Sequence, residues 1–173
     1  MRVAITKMDK TAFYYLASLG RVAKWHTLAL RTSACGNGPL YVVLFVGLFF
    51  THQQGSAFFH AGLISFAIEL PIYFGLKNGI RRVRPCHCLA GVQSSIEPSD
   101  KFSLPSGHSS AAFVMAGLVY CFFPLFAPIA FIWATAIALS RVILGVHYPL
   151  DTIAGMGLGI GSVWCASLFF IGV

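Results

Sequence analysis

Residues 105–123 read PSGHSSAAFVMAGLVYCFF, a polar tetrapeptide at the head of an apolar run that Pro124 closes. The run reads as a membrane span beginning at His108. The start of a helix presents unpaired backbone N–H groups and a positive dipole end, which together favour an anion. Two other blocks share this placement. KNGIRRVRP, residues 77–85, ends an apolar run, and ALSRVILGVHYPLD, residues 138–151, joins two more. Ionisable groups at membrane depth are costly and mark functional sites.

Composition agrees with a chain solvated by lipid. Of 173 residues, 57% are hydrophobic and 10% charged, where a soluble domain carries about 25% charged. Mean hydropathy is +0.78. The net charge of +7 does not point to nucleic acid, because the basic residues are not interleaved with an exposed aromatic surface. Residues 1–34 lack the continuous apolar core and small-residue cleavage site of a signal peptide.

The expected architecture is all-α: an integral membrane bundle of about five spans behind an N-terminal amphipathic helix. That helix is read over 9–31, within an interfacial segment 1–34. Arg21, Lys24, His26 and Arg31 interrupt its apolar residues, as in a helix lying in the membrane interface. Spans are expected over Pro39–Thr51, extended backward to reach the roughly 20 residues a crossing needs, over Ala57–Leu76, from His108 to Phe123, over Leu125–Val142, and from Pro149 to the C-terminus. Residues 1–173 form one domain in this reading, with 35–173 as the catalytic bundle. Gly155, Gly157, Gly159 and Gly161 give the last span two small-residue faces for close packing. Counting crossings puts all three polar blocks on one membrane face.

The residue types divide by chemistry. Lys77 and Arg84 suit the non-bridging oxygens of a phosphate. If the helix continues, Lys77, Arg81 and Arg84 share a face; Arg81 and Arg82 read better as a basic collar for anionic headgroups. Ser106 adds a hydroxyl, Gly107 allows close backbone approach, and His108 is placed to protonate a leaving oxygen. Arg141 adds a third cation. His147 and Asp151, four residues apart, form a candidate nucleophile with its orienting carboxylate. No metal site is read here: His147 and Asp151 lack matching ligands, and Cys86, His87 and Cys88 leave a zinc set incomplete without Cys35.

The ordered pattern K-x6-RP, PSGH, SR-x5-H-x3-D resembles the type 2 phosphatidic acid phosphatase superfamily, over roughly residues 35–173. The resemblance implies metal- and cofactor-free hydrolysis of a phosphate monoester or diphosphate on a membrane lipid. His147 would attack phosphorus to form a phosphohistidine and His108 would serve as acid and then base. Lys77, Arg84, Ser106, Gly107 and Arg141 would hold the oxygens. Phosphatidylglycerophosphate, phosphatidic acid, undecaprenyl diphosphate and lipid A 1-phosphate are candidate substrates; lipid phosphotransfer and noncatalytic headgroup binding or anion movement are the alternatives. The expected partners are the lipid substrate and the bilayer, with neither nucleic acid nor an obligatory protein partner. Every Lys and Arg falls on the face of the three blocks, which the positive-inside rule assigns to the cytoplasm. The resemblance implies a periplasmic site in a bacterial inner membrane instead, and that is the expectation adopted.

Overall fold

Helix boundaries follow local chemistry throughout. The computed structural model describes residues 7–98 and 100–170, in which the helices are α1 (Lys7–Leu19), α2 (Ala23–Cys35), α3 (Gly38–Thr51), α4 (Gly55–Ile80), the short α5 (Pro85–Cys88), α6 (Gly107–Phe122), α7 (Ala127–Ile143) and α8 (Pro149–Phe170). Prolines stand in the first turn of α3, α5 and α7 and open α8, where a missing N–H costs nothing. Ser106 caps α6 through its side chain. The expectation of an all-α membrane protein holds; the sole pairing of extended backbone among the described residues is an isolated bridge between Val83 and Phe102.

The N-terminal segment departs from the single interfacial helix expected over 9–31. It forms two helices, α1 and α2, separated at Gly20–Val22. Gly20 lies so close to α7 that a Cβ there would come within 2.8 Å of the Ile143 carbonyl oxygen. α2 then meets α3 at a 50° bend, so the residues before Pro39 do not extend the first span as a straight helix. Residues 1–6 of the expected interfacial segment, like 171–173 of the last span, lie outside the described residues.

Among the described residues, three segments are long and apolar enough to cross a membrane: Gly55–Ile80, Pro124–Ile143 and Pro149–Phe169. Taken together as one broken span, the bent α2–α3 pair makes a fourth. α6 is apolar but only 16 residues long, about 24 Å at 1.5 Å per residue, because its first turn is spent on the polar block. It is the central helix, packed chiefly on α8, α7 and α4. Phe45 and Phe58 stack beside Ala61, Val114 and Leu118 in one core cluster, while Phe113 and Ile137 anchor another. Phe50, Leu125, Ile132, Trp164 and Leu168 point outward, as side chains solvated by lipid do.

The glycines of α8 divide into two classes. A Cβ on Gly155 would meet the Ser106 carbonyl oxygen at 2.5 Å, and one on Gly159 the Ser110 carbonyl oxygen at 2.4 Å. Gly157 and Gly161 have nothing within 4 Å. One of the two expected small-residue faces therefore packs, and it seats α8 directly under the first turn of α6. This packing brings the second and third blocks together.

Candidate active site

Each block is delivered by a helix end. Lys77 lies in the last turn of α4, and its ammonium donates to Tyr73 Oη at 2.6 Å and Asp100 Oδ2 at 2.7 Å. α4 stops three residues later, where Arg81 takes a left-handed conformation with φ of 53°. The face expected for Lys77, Arg81 and Arg84 therefore does not form. Arg81 is exposed and its Nε donates to the Asn78 carbonyl. Arg84 instead follows the break, buried at 2% exposure.

The Arg84 guanidinium is the hub of the site. One terminal nitrogen donates to the Val146 carbonyl at 2.8 Å and to His147 Nε2 at 3.1 Å. The other donates to Asp100 Oδ1 at 2.6 Å, and Nε donates to the Asp100 carbonyl at 3.0 Å. Arginine has no acceptor, so His147 Nε2 presents a lone pair and the neutral ring carries its proton on Nδ1. That proton faces Asp151, whose Oδ2 is 3.7 Å from Nδ1. The pair is thus aligned but longer than a hydrogen bond. His147 does not share a helical turn with Asp151, as its spacing suggested. It precedes α8 in the 144–148 loop, which Gly145 turns with φ of +78°.

Ser106, Gly107 and His108 form the first turn of α6. The Ser106 backbone N–H donates to the Asp151 carbonyl at 2.9 Å, tying this turn to α8. A Cβ on Gly107 would sit 3.0 Å from Tyr73 Oη, so α4 and α6 meet there without room for a side chain. His108 Nε2 donates to Asn37 Oδ1 at 2.9 Å. Its imidazole lies in the field of Arg141, His147, Arg84 and Lys77. Arg141 closes the site from the end of α7, bonded to Ser33 Oγ, with its buried Nε unpaired.

All eight residues singled out in the sequence converge at one end of the bundle. Lys77 and Arg84 share one carboxylate, Asp100, while Asp151 is paired with Arg82 and Arg141 is bonded to the neutral Ser33. Such an excess of buried positive charge requires anions to balance it. Burial would raise the Asp100 carboxyl, but its bonds to Lys77 and Arg84 outweigh that and hold it down to about 2. Burial pushes the His147 imidazole down to about 4 against the opposing pull of Asp151, with Arg84 and Arg141 adding to the depression. His147 is therefore neutral across physiological pH, with its Nε2 lone pair facing the Arg84 N–H that it accepts.

The profile of the PAP2 superfamily matches residues 55–171, which include all eight. The chain belongs to the PAP2 superfamily. Among PAP2 relatives, phosphatidylglycerophosphatase B of Bacillus subtilis is 31% identical over 133 residues, covering 70% of this chain and 62% of that protein. Decaprenylphosphoryl-5-phosphoribose phosphatase of Mycobacterium tuberculosis is 34% identical over 90 residues, 51% of this chain and 49% of that one. The chain thus spans between about half and three fifths of the length of these relatives. The crystal structure of Aquifex aeolicus LpxE superposes with a TM-score of 0.86 at 21% identity, covering 96% of this chain and 98% of that one, which establishes the fold. The PAP2 phosphatidylglycerolphosphate phosphatase structure from Bacillus subtilis gives 0.72 at 25% identity over 95% and 87% of the two chains.

Residues that the sequence reading missed surround the candidate site. Asp100 and Tyr73 bracket Lys77, Asn37 holds His108, and Ser33 holds Arg141. Tyr73 lies one turn before Lys77, a legible signal; Asn37, Ser33 and Asp100 are brought in by tertiary packing alone. Arg82 corrects the expected basic collar: it is buried, with its guanidinium between Asp9 and Asp151. Glu69 is buried in α4 beside Ser110. All five cysteines are free, and the described residues contain no group of three or more His, Cys, Asp or Glu placed to hold a metal.

Proposed function

We propose that this protein hydrolyses a phosphate monoester or diphosphate on a membrane lipid through a phosphohistidine at His147. The observation that carries the reading is the His147 Nε2 lone pair held 3.1 Å from the Arg84 guanidinium, beside two more buried cations. Nε2 attacks phosphorus as the bond to the lipid oxygen breaks, and His108 gives that oxygen a proton. Water then attacks the phosphohistidine, losing its proton to His108 and restoring free His147. Lys77, Arg84, Arg141, Ser106 and the Gly107 N–H stabilise the equatorial oxygens as charge redistributes. Asp151 supports positive charge on the ring. None of these steps draws on a metal or cofactor.

The lipid chain has a route to this centre. An apolar groove of about 320 Å³ runs between α3, α4 and α6, lined by Tyr41, Phe45, Phe66 and Ala111. It begins at Gly36, where an added Cβ would lie 3.1 Å from the His108 ring. The relatives' names, phosphatidylglycerophosphatase B and decaprenylphosphoryl-5-phosphoribose phosphatase, support a phosphorylated lipid as the substrate class. The whole chain is one catalytic domain in this reading.

The site opens toward the periplasmic side of a bacterial inner membrane. Burial of Lys77, Arg82, Arg84 and Arg141 supports this, because site chemistry then accounts for four of the cations that the positive-inside rule would count. Inorganic phosphate release from a panel of lipid phosphates in detergent tests the activity. His147→Ala is expected to lower it at least about a thousandfold while inserting normally; retained release would remove His147 as nucleophile. Labelling of exposed Cys88 by an impermeant maleimide in intact cells tests topology, and labelling that requires permeabilisation would reverse it.

A further inference from the structure

We infer that Asp9 and Arg82 are positioning residues for the nucleophile, so that the N-terminal helix α1 belongs to the catalytic apparatus. The inference rests on His147 being the nucleophile. Asp151 is fixed at both oxygens. Oδ1 accepts from Arg82 at 2.6 Å and Oδ2 from the Tyr148 N–H at 2.8 Å, leaving Oδ2 turned toward His147 Nδ1. Arg82 is in turn held by Asp9, through an ion pair between its other terminal nitrogen and Asp9 Oδ2. The second Asp9 oxygen accepts from the Leu150 N–H at 3.0 Å, in the first turn of α8. The guanidinium also lies 4.3 Å from the Tyr148 ring centre, and Phe13 of α1 packs against that same ring at 5.5 Å.

The charges give Asp9 a role beyond anchoring. Arg82 alone would cancel the negative charge that Asp151 presents to His147. All three side chains are at most 2% exposed, so water screens little of that cancellation. Asp9 supplies a second carboxylate, so the three groups Asp9, Arg82 and Asp151 by themselves carry one more negative than positive charge behind the imidazole. That charge favours the transition state, in which phosphorylation makes the ring cationic. An arginine between two carboxylates thus fixes Asp151 geometrically without neutralising it.

Asp9→Asn preserves shape and one acceptor, which can serve Leu150, while removing the charge and the acceptor for Arg82. In full-length protein, kcat on a short-chain lipid phosphate in micelles should fall roughly 10- to 100-fold, the scale of a small misplacement at the reacting centre. Competitive inhibition by inorganic phosphate, which reads the Lys77–Arg84–Arg141 clamp, should stay within about twofold, since none of those groups is touched. The double variant Asp9→Asn with Arg82→Gln removes both charges, returns the net negative charge to Asp151, and should recover several-fold of the lost kcat. A merely structural role for α1 predicts the reverse: the second substitution lowers activity further, and phosphate inhibition and thermal midpoint decline with it. That pattern, or wild-type kcat in Asp9→Asn, would overturn the inference. Absence of phosphate release from the wild type would instead overturn the reading on which it rests.

Discussion

Replacing Gly159 by alanine should unlock the contact between α6 and α8 while the same change at Gly157 should not. An alanine Cβ at 159 would lie 2.4 Å from the Ser110 carbonyl oxygen and 2.9 Å from the Val114 amide nitrogen. Both are backbone atoms of α6 and cannot rotate aside, so the helices must part by about 0.6 Å to restore even a 3.0 Å contact. Overpacking of this kind costs about 1–3 kcal/mol, and the upper end applies against a rigid helix. Alanine's better helix propensity returns at most about 1 kcal/mol. The net loss of about 1–2 kcal/mol corresponds to a thermal midpoint lower by about 2–8 °C for a chain of this size. Gly157→Ala and Gly161→Ala meet nothing within 4 Å and should leave the midpoint unchanged or slightly raised. Gly155→Ala adds a functional readout, because its Cβ would press on the Ser106 carbonyl at 2.5 Å. Displacing that turn moves His108 relative to His147, so kcat should fall at least about tenfold. Midpoints from intrinsic tryptophan fluorescence in detergent, with phosphate release on the same samples, make the comparison. Equal losses at 157 and 159 would refute the assigned packing face.

Arg84→Lys keeps the charge but cannot hold Val146, His147 and Asp100 at once, since an ammonium lacks the planar fork. With charge-assisted bonds worth about 1.5–3 kcal/mol each, kcat/KM should fall roughly a hundredfold, whereas Arg81→Lys, exposed at the end of α4, should change little. Activity of Arg84→Lys within about threefold of wild type would show that charge alone suffices. The depressed His147 imidazole predicts acid sensitivity of the fold. Its folded-state value of about 4 lies below the ordinary 6.5, so the unfolded chain takes up the proton first. This contribution is full above pH 6.5 and is lost as pH falls toward 4. Carbon NMR of ring-labelled histidine, assigned by difference from His147→Gln, should place the midpoint near 4; a midpoint near 6.5 would remove burial as the controlling cause.

Local chemistry was legible where the sequence states it locally, and illegible where folding joins distant side chains. The three blocks announce themselves because each pairs chemically specialised residues with the end of an apolar run. The helix cap at Ser106 and the proline start of α8 at Pro149 follow from residue type alone, and so does the small-residue character of α8. Nothing in its glycine pattern distinguishes the packed pair 155 and 159 from the open pair 157 and 161; the position of α6 decides that. Arg82 shows the same limit more sharply. Beside Arg81 in an arginine-rich stretch, it carries the signature of a solvated collar. The left-handed turn at Arg81 sends the two side chains to opposite fates, Arg81 to solvent and Arg82 between carboxylates 73 and 69 residues away. Asp9 could not be read either, because a lone acid in an amphipathic stretch ordinarily faces water. Its burial makes sense only once α1 packs on the Tyr148 face. The proposed catalytic groups of this PAP2 protein are thus written in its motifs, whereas Asp9, Ser33 and Asn37, which bond to Arg82, Arg141 and His108, come from the segment before the motifs begin.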